Sequence, residues 1–165
     1  MTRPFSLSLL FLLFIVPIAK AQHVNPVFKF SEVSHGLYSS QTVAKETMAE
    51  SPSGTHTVVE KQILLKQTEK IPAKIGSEFG TEYKLTGNNA DTVILEIEWV
   101  YPHEIIDKQK NTSFKSIRYP IQIPANAANA STYSLEDDFE VVKGDWLLNI
   151  YSDNKIIYSK RFQVN

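Results

Sequence analysis

The chain has 165 residues, of which 17 are basic and 18 acidic, a formal net charge of −1, and no cysteine. Near-neutrality excludes the dense positive field that nucleic-acid binding requires. Without cysteine there are no disulfide staples, iron–sulfur ligands or thiol chemistry, so apolar burial and backbone hydrogen bonding must stabilise the fold.

Met1-Thr2-Arg3-Pro4 is a short, positively charged start. An apolar run over 5–18 comes next, and Ala19-Lys20-Ala21 closes it. That order predicts a secretory signal peptide over 1–21, cleaved between Ala21 and Gln22. The run is about 14 residues, short of the roughly 20 that a spanning helix needs, and Pro17 breaks helix before the cut. The expected mature chain is therefore periplasmic or secreted, with no stable membrane insertion after cleavage. It covers 22–165 as a single domain, large enough for one core. Loss of Arg3 and Lys20 leaves 15 basic residues against 18 acidic ones.

Period-two alternation dominates the mature chain, and no long stretch carries a period near 3.6. Residues 27–33 alternate and are expected to add an edge strand. Residues 39–56, rich in Ser, Thr, Gly and Pro, read as a long loop or a short helix around 43–50. A strand is expected over 58–68, and another over 79–85, joined by a turn over 86–91 to the clearest strand at 92–101. There Val93, Leu95, Ile97, Trp99 and Tyr101 share a core face, while Glu96 and Glu98 mark the solvent side. Further strands are expected over 114–123 and 132–139, with a small-residue connector over 125–130. The chain ends in a hairpin, 146–151 and 155–164, turning at Ser152-Asp153-Asn154. Seven to eight short strands with turn signals between them predict an all-β, antiparallel sandwich. Trp99 stands where an immunoglobulin-like fold places its central core tryptophan.

Several segments carry a resemblance to a known family: His35-Gly36-Leu37-Tyr38, Ile71-Pro72-Ala73-Lys74-Ile75-Gly76, Phe79-Gly80-Thr81-Glu82-Tyr83, Trp99-Val100-Tyr101-Pro102-His103, Gly144-Asp145-Trp146 and Phe162. Together they resemble an uncharacterised family of bacterial exported proteins known as domain of unknown function 3859. The resemblance implies an immunoglobulin-like domain behind a signal peptide, and no activity, substrate or cofactor.

Chemistry-bearing residues are sparse. The histidines His23, His35, His56 and His103 lack metal-ligand spacing, and the acidic run Glu136, Asp137, Asp138, Glu140, with Asp145, lacks the spacing and glycine of a calcium loop. No metal and no cofactor is expected. Glu96 and Glu98 are explained by solvent exposure better than as a glycosidase pair, and neither Ser34 nor Ser53 stands in a nucleophile elbow. No catalytic residue is assigned. Tyr101, Tyr119 and Tyr133 are the candidates for a ligand platform among seven tyrosines.

The leading expectation is a non-catalytic exported module that binds an envelope protein or glycan. The alternatives are an envelope-polymer hydrolase with a site near His103, Glu104 and Asp107, and an assembly protein adding a partner's strand at the 27–33 edge. Nucleic acid is not an expected partner. Export is directly testable: N-terminal sequencing of protein recovered from the envelope or medium should begin at Gln22, and a retained Met1 would refute cleavage.

Overall fold

The alternating pattern folds into two facing sheets. A computed structural model describes residues 28–48, 51–52, 54–87, 92–107 and 111–165. The segment 1–21 expected to be a signal peptide, His23, Ser53, residues 88–91 of the expected turn and the side chain of His56 lie outside the described residues. Nine strands are described: β1 (Lys29–Thr47), β2 (Thr55–Gln67), β3 (Lys70–Ile71), β4 (Glu78–Thr86), β5 (Thr92–Asp107), β6 (Thr112–Pro124), β7 (Ala128–Ser134), β8 (Gly144–Ser152) and β9 (Lys155–Val164). One sheet has the order β2-β1-β4-β7 and the other β3-β9-β8-β5-β6. All described pairings are antiparallel except the short β3–β9 contact. The protein is an immunoglobulin-like antiparallel sandwich.

The core is the sum of the inward alternation of both sheets. Val93, Leu95, Ile97, Trp99 and Tyr101 of β5 are all buried, as expected, and so are Trp146, Leu148 and Ile150 of β8. Trp99 and Trp146 lie on hydrogen-bonded neighbours, since β5 pairs with β8. From the opposite sheet, Phe79 of β4 meets Trp99, Trp146 and Phe162 edge-on, with ring centroids 5.5, 5.6 and 5.4 Å away. Edge-to-face contact aims the positive rim of one ring at the negative face of another and adds to burial. The terminal hairpin turns at Asp153 and Asn154, with φ of 50° and 60°. Two successive left-handed residues make the tight turn whose twist matches the strands.

Three expectations need correction. The strands at 79–85 and 92–101 do not form a hairpin: β4 and β5 lie in opposite sheets. Two strands that face one core from opposite sides show the same alternation as two neighbours, so the pattern could not separate the cases. The segment 39–56 is neither loop nor helix for most of its length, because β1 runs to Thr47 and pairs with β2 from Thr55. Ser39, Ser40, Thr42 and Thr47 pair with β2 residues in that ladder. The turn at its tip is closed by hydrogen bonds from Met48 to Gly54 and from Ser51 to Met48. The strand expected at 132–139 is shifted: β7 ends at Ser134, and Asp138–Glu140 form a 3-10 turn.

The described part of 27–33 opens β1 and stands as an edge: Lys29–His35 pairs with β4 alone, and β2 joins β1 only from Gly36 onward. A bulge at Val33 interrupts that register, and an extra residue there re-aims the side chains beyond it. Glu32 and His35, which pair with Tyr83 and Thr81, thereby both stand on the side of β1 that faces the other sheet. Gly36 pairs with Gly80, and a Cβ on Gly36 would stand 2.0 Å from the Lys66 carbonyl oxygen while one on Gly80 would stand 2.1 Å from that of Ser131. The two glycines let β1 and β4 press against β2 and β7.

Phe79→Ala should cost about 3–5 kcal/mol, the usual loss for a buried aromatic, read as a shift in urea midpoint at constant slope. The two tryptophans should differ under a milder change. The Trp146 indole donates to the Val142 carbonyl at 2.8 Å, whereas the buried Trp99 N–H has no partner. Trp146→Phe strands a carbonyl, while Trp99→Phe removes an unsatisfied donor, so Trp99→Phe should be the less destabilising of the two.

Candidate functional site

The two flanks of the sandwich are finished differently. On the β1–β9 flank a cavity of about 630 Å³ lies beside His35, Glu69 and Arg161, and Phe30 of β1 stacks between Tyr83 and Tyr158 at centroid distances of 5.0 and 4.8 Å. Beside it the Tyr158 hydroxyl donates to Glu32 at 2.5 Å, and Glu32 bonds His35 Nδ1 at 2.6 Å. Glu69 continues the chain to Lys160 at 2.8 Å, with His35 Nε2 3.9 Å away. Burial opposes ionisation of Glu32, but hydrogen bonds from Tyr158 and His35 and the charge of Lys160 outweigh it and hold its carboxyl below the usual range. Burial and the same Glu32 push the Tyr158 phenol up. This network ties β1 to β9.

On the other flank the edge strands β6 and β7 face each other across a cavity of about 390 Å³. Its floor includes Ile97 and Trp99 of β5, and the inward residues Ile117, Tyr119, Ile121 and Ile123 of β6 form one wall. Tyr133 and Ser131 of β7 stand opposite, and Met48 and Ser51 from the β1–β2 turn close over one end. That turn is held down by Lys45, which pairs with Glu136 at 2.5 Å.

A polar cluster from four strands borders the cavity, on the face of β4 and β7 opposite to Phe79 and Tyr133. The Glu78 carboxylate accepts hydrogen bonds from Ser40 at 2.5 Å, Gln62 at 3.2 Å and Thr132 at 2.9 Å. Glu140 is almost wholly buried. It accepts from the Tyr133 hydroxyl at 2.8 Å and from the backbone amides of Glu136 and Asp137 at 2.9 and 3.0 Å. Burial raises its carboxyl above the ordinary value in spite of these donors. Burial and the neighbouring Tyr101 and Glu140 drive the Tyr133 phenol far up. Among the described residues, no Lys, Arg or His side chain lines the cavity.

The residues singled out in the sequence are dispersed by the fold. Tyr119 and Tyr133 line the cleft, while Tyr101 packs behind them, 5.9 Å from Tyr133 and 4.9 Å from Trp146. His103 and Glu104 lie exposed in the irregular part of β5 and Asp107 is buried at its end. They line neither described cavity, and His35 lies in the other sheet. Among the described residues no cluster of His, Asp and Glu is arranged to hold a metal. Glu96 pairs with Arg118 at 2.6 Å, and Glu98 accepts from Asn149 at 2.9 Å and Tyr151 at 2.6 Å. Both are tied into the outer face of their sheet. The acidic run divides: Asp145 pairs with Arg161, Glu136 with Lys45, and Glu140 turns inward.

Comparison with solved structures places the fold. The chain is similar to an immunoglobulin-like protein from Pseudomonas aeruginosa, with a TM-score of 0.62 and 19% identity, over 86% of this chain and 99% of that one. Identity at this level speaks for the fold alone. The family model described as Domain of unknown function (DUF3859) matches residues 27–164. The chain belongs to that family. None of the curated proteins matches it.

The Glu32 network predicts a pH effect. Its folded pKa is lowered, so its stabilisation is present above the unfolded carboxylate value of about 4.3 and lost as pH falls through the lower folded value. Glu32→Gln should lower stability at pH 7 and flatten the acid limb of a urea-midpoint profile. Glu140, with a raised value, works with the opposite sign: its contribution is present in acid and lost as pH rises through its folded value.

Proposed function

We propose that this is an exported, non-catalytic binding module that takes an envelope component into the cleft between β6 and β7. The observation that carries the reading is that cleft: an apolar and aromatic lining between the edge strands β6 and β7, with a hydrogen-bonded polar cluster bordering it. Ligand sites are concave, largely pre-formed and mostly apolar with a few placed polar groups. The carboxylates here support binding rather than chemistry. Glu78 and Glu140 each accept three hydrogen bonds from this chain, so they are committed to holding their surroundings in shape. A catalytic acid or base must be free to exchange a proton with substrate.

The β6 and β2 edges are guarded against strand addition. Pro120 and Pro124 stand in β6, where an added strand would need backbone donors. On the β2 edge the exposed Ile63, Leu64 and Leu65 are bracketed by Lys61 and Lys66, and such charges guard an edge against pairing. The signal segment supports the compartment, and the family resemblance is consistent with it.

Photocrosslinking in the producing cell tests the proposal. A photoreactive residue at Ile121, an inward position of the cleft wall, should give an adduct with an envelope component, and one at Lys155, on the β8–β9 turn, should not. Equal labelling from both positions, or none from Ile121, would refute the cleft as the binding site.

A further inference from the structure

We infer that β7 is a docking edge: an extended polypeptide segment, apolar at alternate residues and free of acidic side chains, adds to it as a strand inside the β6–β7 cleft. This rests on the binding-module reading above and assigns its ligand class, a stretch of protein. Three observations lead to it.

The first is an unguarded edge. β7 ends its sheet and pairs with β4 alone. Just past its end, Leu135 donates to the Ser77 carbonyl at 3.0 Å. Antiparallel ladders alternate, so that bond sets the backbone of Tyr133 and Ser131 toward β4 and that of Ala130, Thr132 and Ser134 away from it. Among the described residues no other backbone group bonds to those three, and all three line the cleft. Natural edges are blunted by charge, proline or bulges. β7 carries neither charge nor proline, and its register with β4 is unbroken.

The second is that the cleft straddles this edge instead of lying on one face of the sheet. Consecutive residues of β7, 130–134, line it, and so do consecutive residues of β6, 121–123. A lining that shows both faces of a strand suits a ligand whose side chains alternate between those faces. Inward side chains of an added strand would meet Ile117, Tyr119 and Ile121 of β6 beside Tyr133, while outward ones would stand by Thr132 and Glu78 on the opposite face. Pro120 and Pro124 interrupt the β6 edge, so β7 is the side that pairs.

The third is charge. Glu78, Glu136 and Glu140 line the cleft and no basic side chain does, among the described residues. The ammonium at its margin, Lys45, is paired with Glu136. An acidic side chain on the added strand would lose its hydration against carboxylates, with no cation to offset the loss, so its outward positions are neutral or basic. The edge also sets the kind of polymer. Its amides and carbonyls recur every second residue, about 7 Å apart, and the backbone of an extended polypeptide carries the same repeat. A glycan or an acyl chain has no such row.

The test is amide-exchange NMR on the mature chain with the peptide acetyl-Lys-Val-Thr-Val-Thr-Val-Lys-amide, and with acetyl-Glu-Val-Thr-Val-Thr-Val-Glu-amide as comparator. In the free protein the amides of Ala130, Thr132 and Ser134 should exchange faster than those of Ser131 and Tyr133. Saturation with the basic peptide should slow those three about tenfold or more, and the acidic peptide should bind more weakly. Ala130→Pro removes one outward amide and leaves the β4 ladder intact, so it should weaken the basic peptide about tenfold, the loss of one hydrogen bond. Ser134→Pro does the same near the other end of β7 and covers the case in which Ala130→Pro fails to fold. No binding of the basic peptide, binding that leaves the three amides unslowed, or unchanged affinity in either folded variant would overturn strand addition. Equal affinity for the two peptides would overturn the charge assignment. The Ile121 crosslink decides the module reading separately: an adduct with an envelope glycan would overturn strand addition and leave the module intact.

Discussion

Phe79 is the contact on which the two sheets depend. It reaches from β4 across the sandwich and presents its edge to Trp99, Trp146 and Phe162, which belong to three successive strands of the opposite sheet, β5, β8 and β9. Each ring pair adds of order 0.5–1.5 kcal/mol beyond the area it buries. Three pairs converging on one side chain fix the spacing and relative rotation of the sheets in a way that aliphatic packing alone would not. With no disulfide to bind sheet to sheet, this aromatic junction takes that role. Its neighbours are small where they must be: Gly80, next in sequence, lets β7 approach β4 so closely that Tyr133 can join the junction from the side, 5.7 Å from Trp99.

Fixing the centre leaves the flanks to be finished differently. At the β1–β9 flank the bulge at Val33 turns both Glu32 and His35 toward the other sheet, where Tyr158 and Lys160 complete a chain of charge-assisted hydrogen bonds beside stacked rings. At the β6–β7 flank the hydrogen bonds from Ser40 and Gln62 through Glu78 to Thr132 run within one sheet, on its outer face. Side-chain networks inside a protein rigidify the groups they join. The β1–β9 network is thus a clamp between the sheets, and the other stiffens one sheet beside the cavity.

Much of this was readable from the residues, and the unreadable part has a physical pattern. Alternation reports which face a side chain occupies, so the burial of Trp99 and Trp146 and the polar face of Glu96 and Glu98 came out correctly. Local turn chemistry was also legible, as at Asp153-Asn154. Alternation says nothing about which strand is the hydrogen-bonded neighbour. Hence β4 and β5 looked like a hairpin although they stand across the core from each other. The Tyr119 and Tyr133 part of the cleft was foreshadowed by the excess of strand tyrosines. The polar cluster was not, because Ser40, Gln62, Glu78 and Thr132 converge only through the sheet order β2-β1-β4-β7. Glu140 was hidden inside an acidic run that reads as solvent-facing. The signal that could have separated it is its spacing from Asp137, which suits a side chain reaching back to the amides at the start of a short helical turn.

The polar accounting of the core singles out one of its two tryptophans. Both indoles are buried on adjacent strands, in the same ring cluster and with the same need for an acceptor. Trp146 finds one four residues away, at the Val142 carbonyl in the segment leading into β8. Trp99 stands in mid-strand, where its own backbone carbonyls are committed to the ladders with β6 and β8. Its nearest ring neighbours, Phe79, Tyr133 and Phe162, present carbon to it. An acceptor could be supplied by a serine or threonine on β7 or by a residue of β6, yet the inward positions of β6 are filled by Ile117, Tyr119, Ile121 and Ile123. The fold thus leaves this donor unpaired and shut off from solvent. The indole is accounted for by the ring area it presents to Phe79, Tyr133 and Phe162, against which the unpaired N–H is a cost.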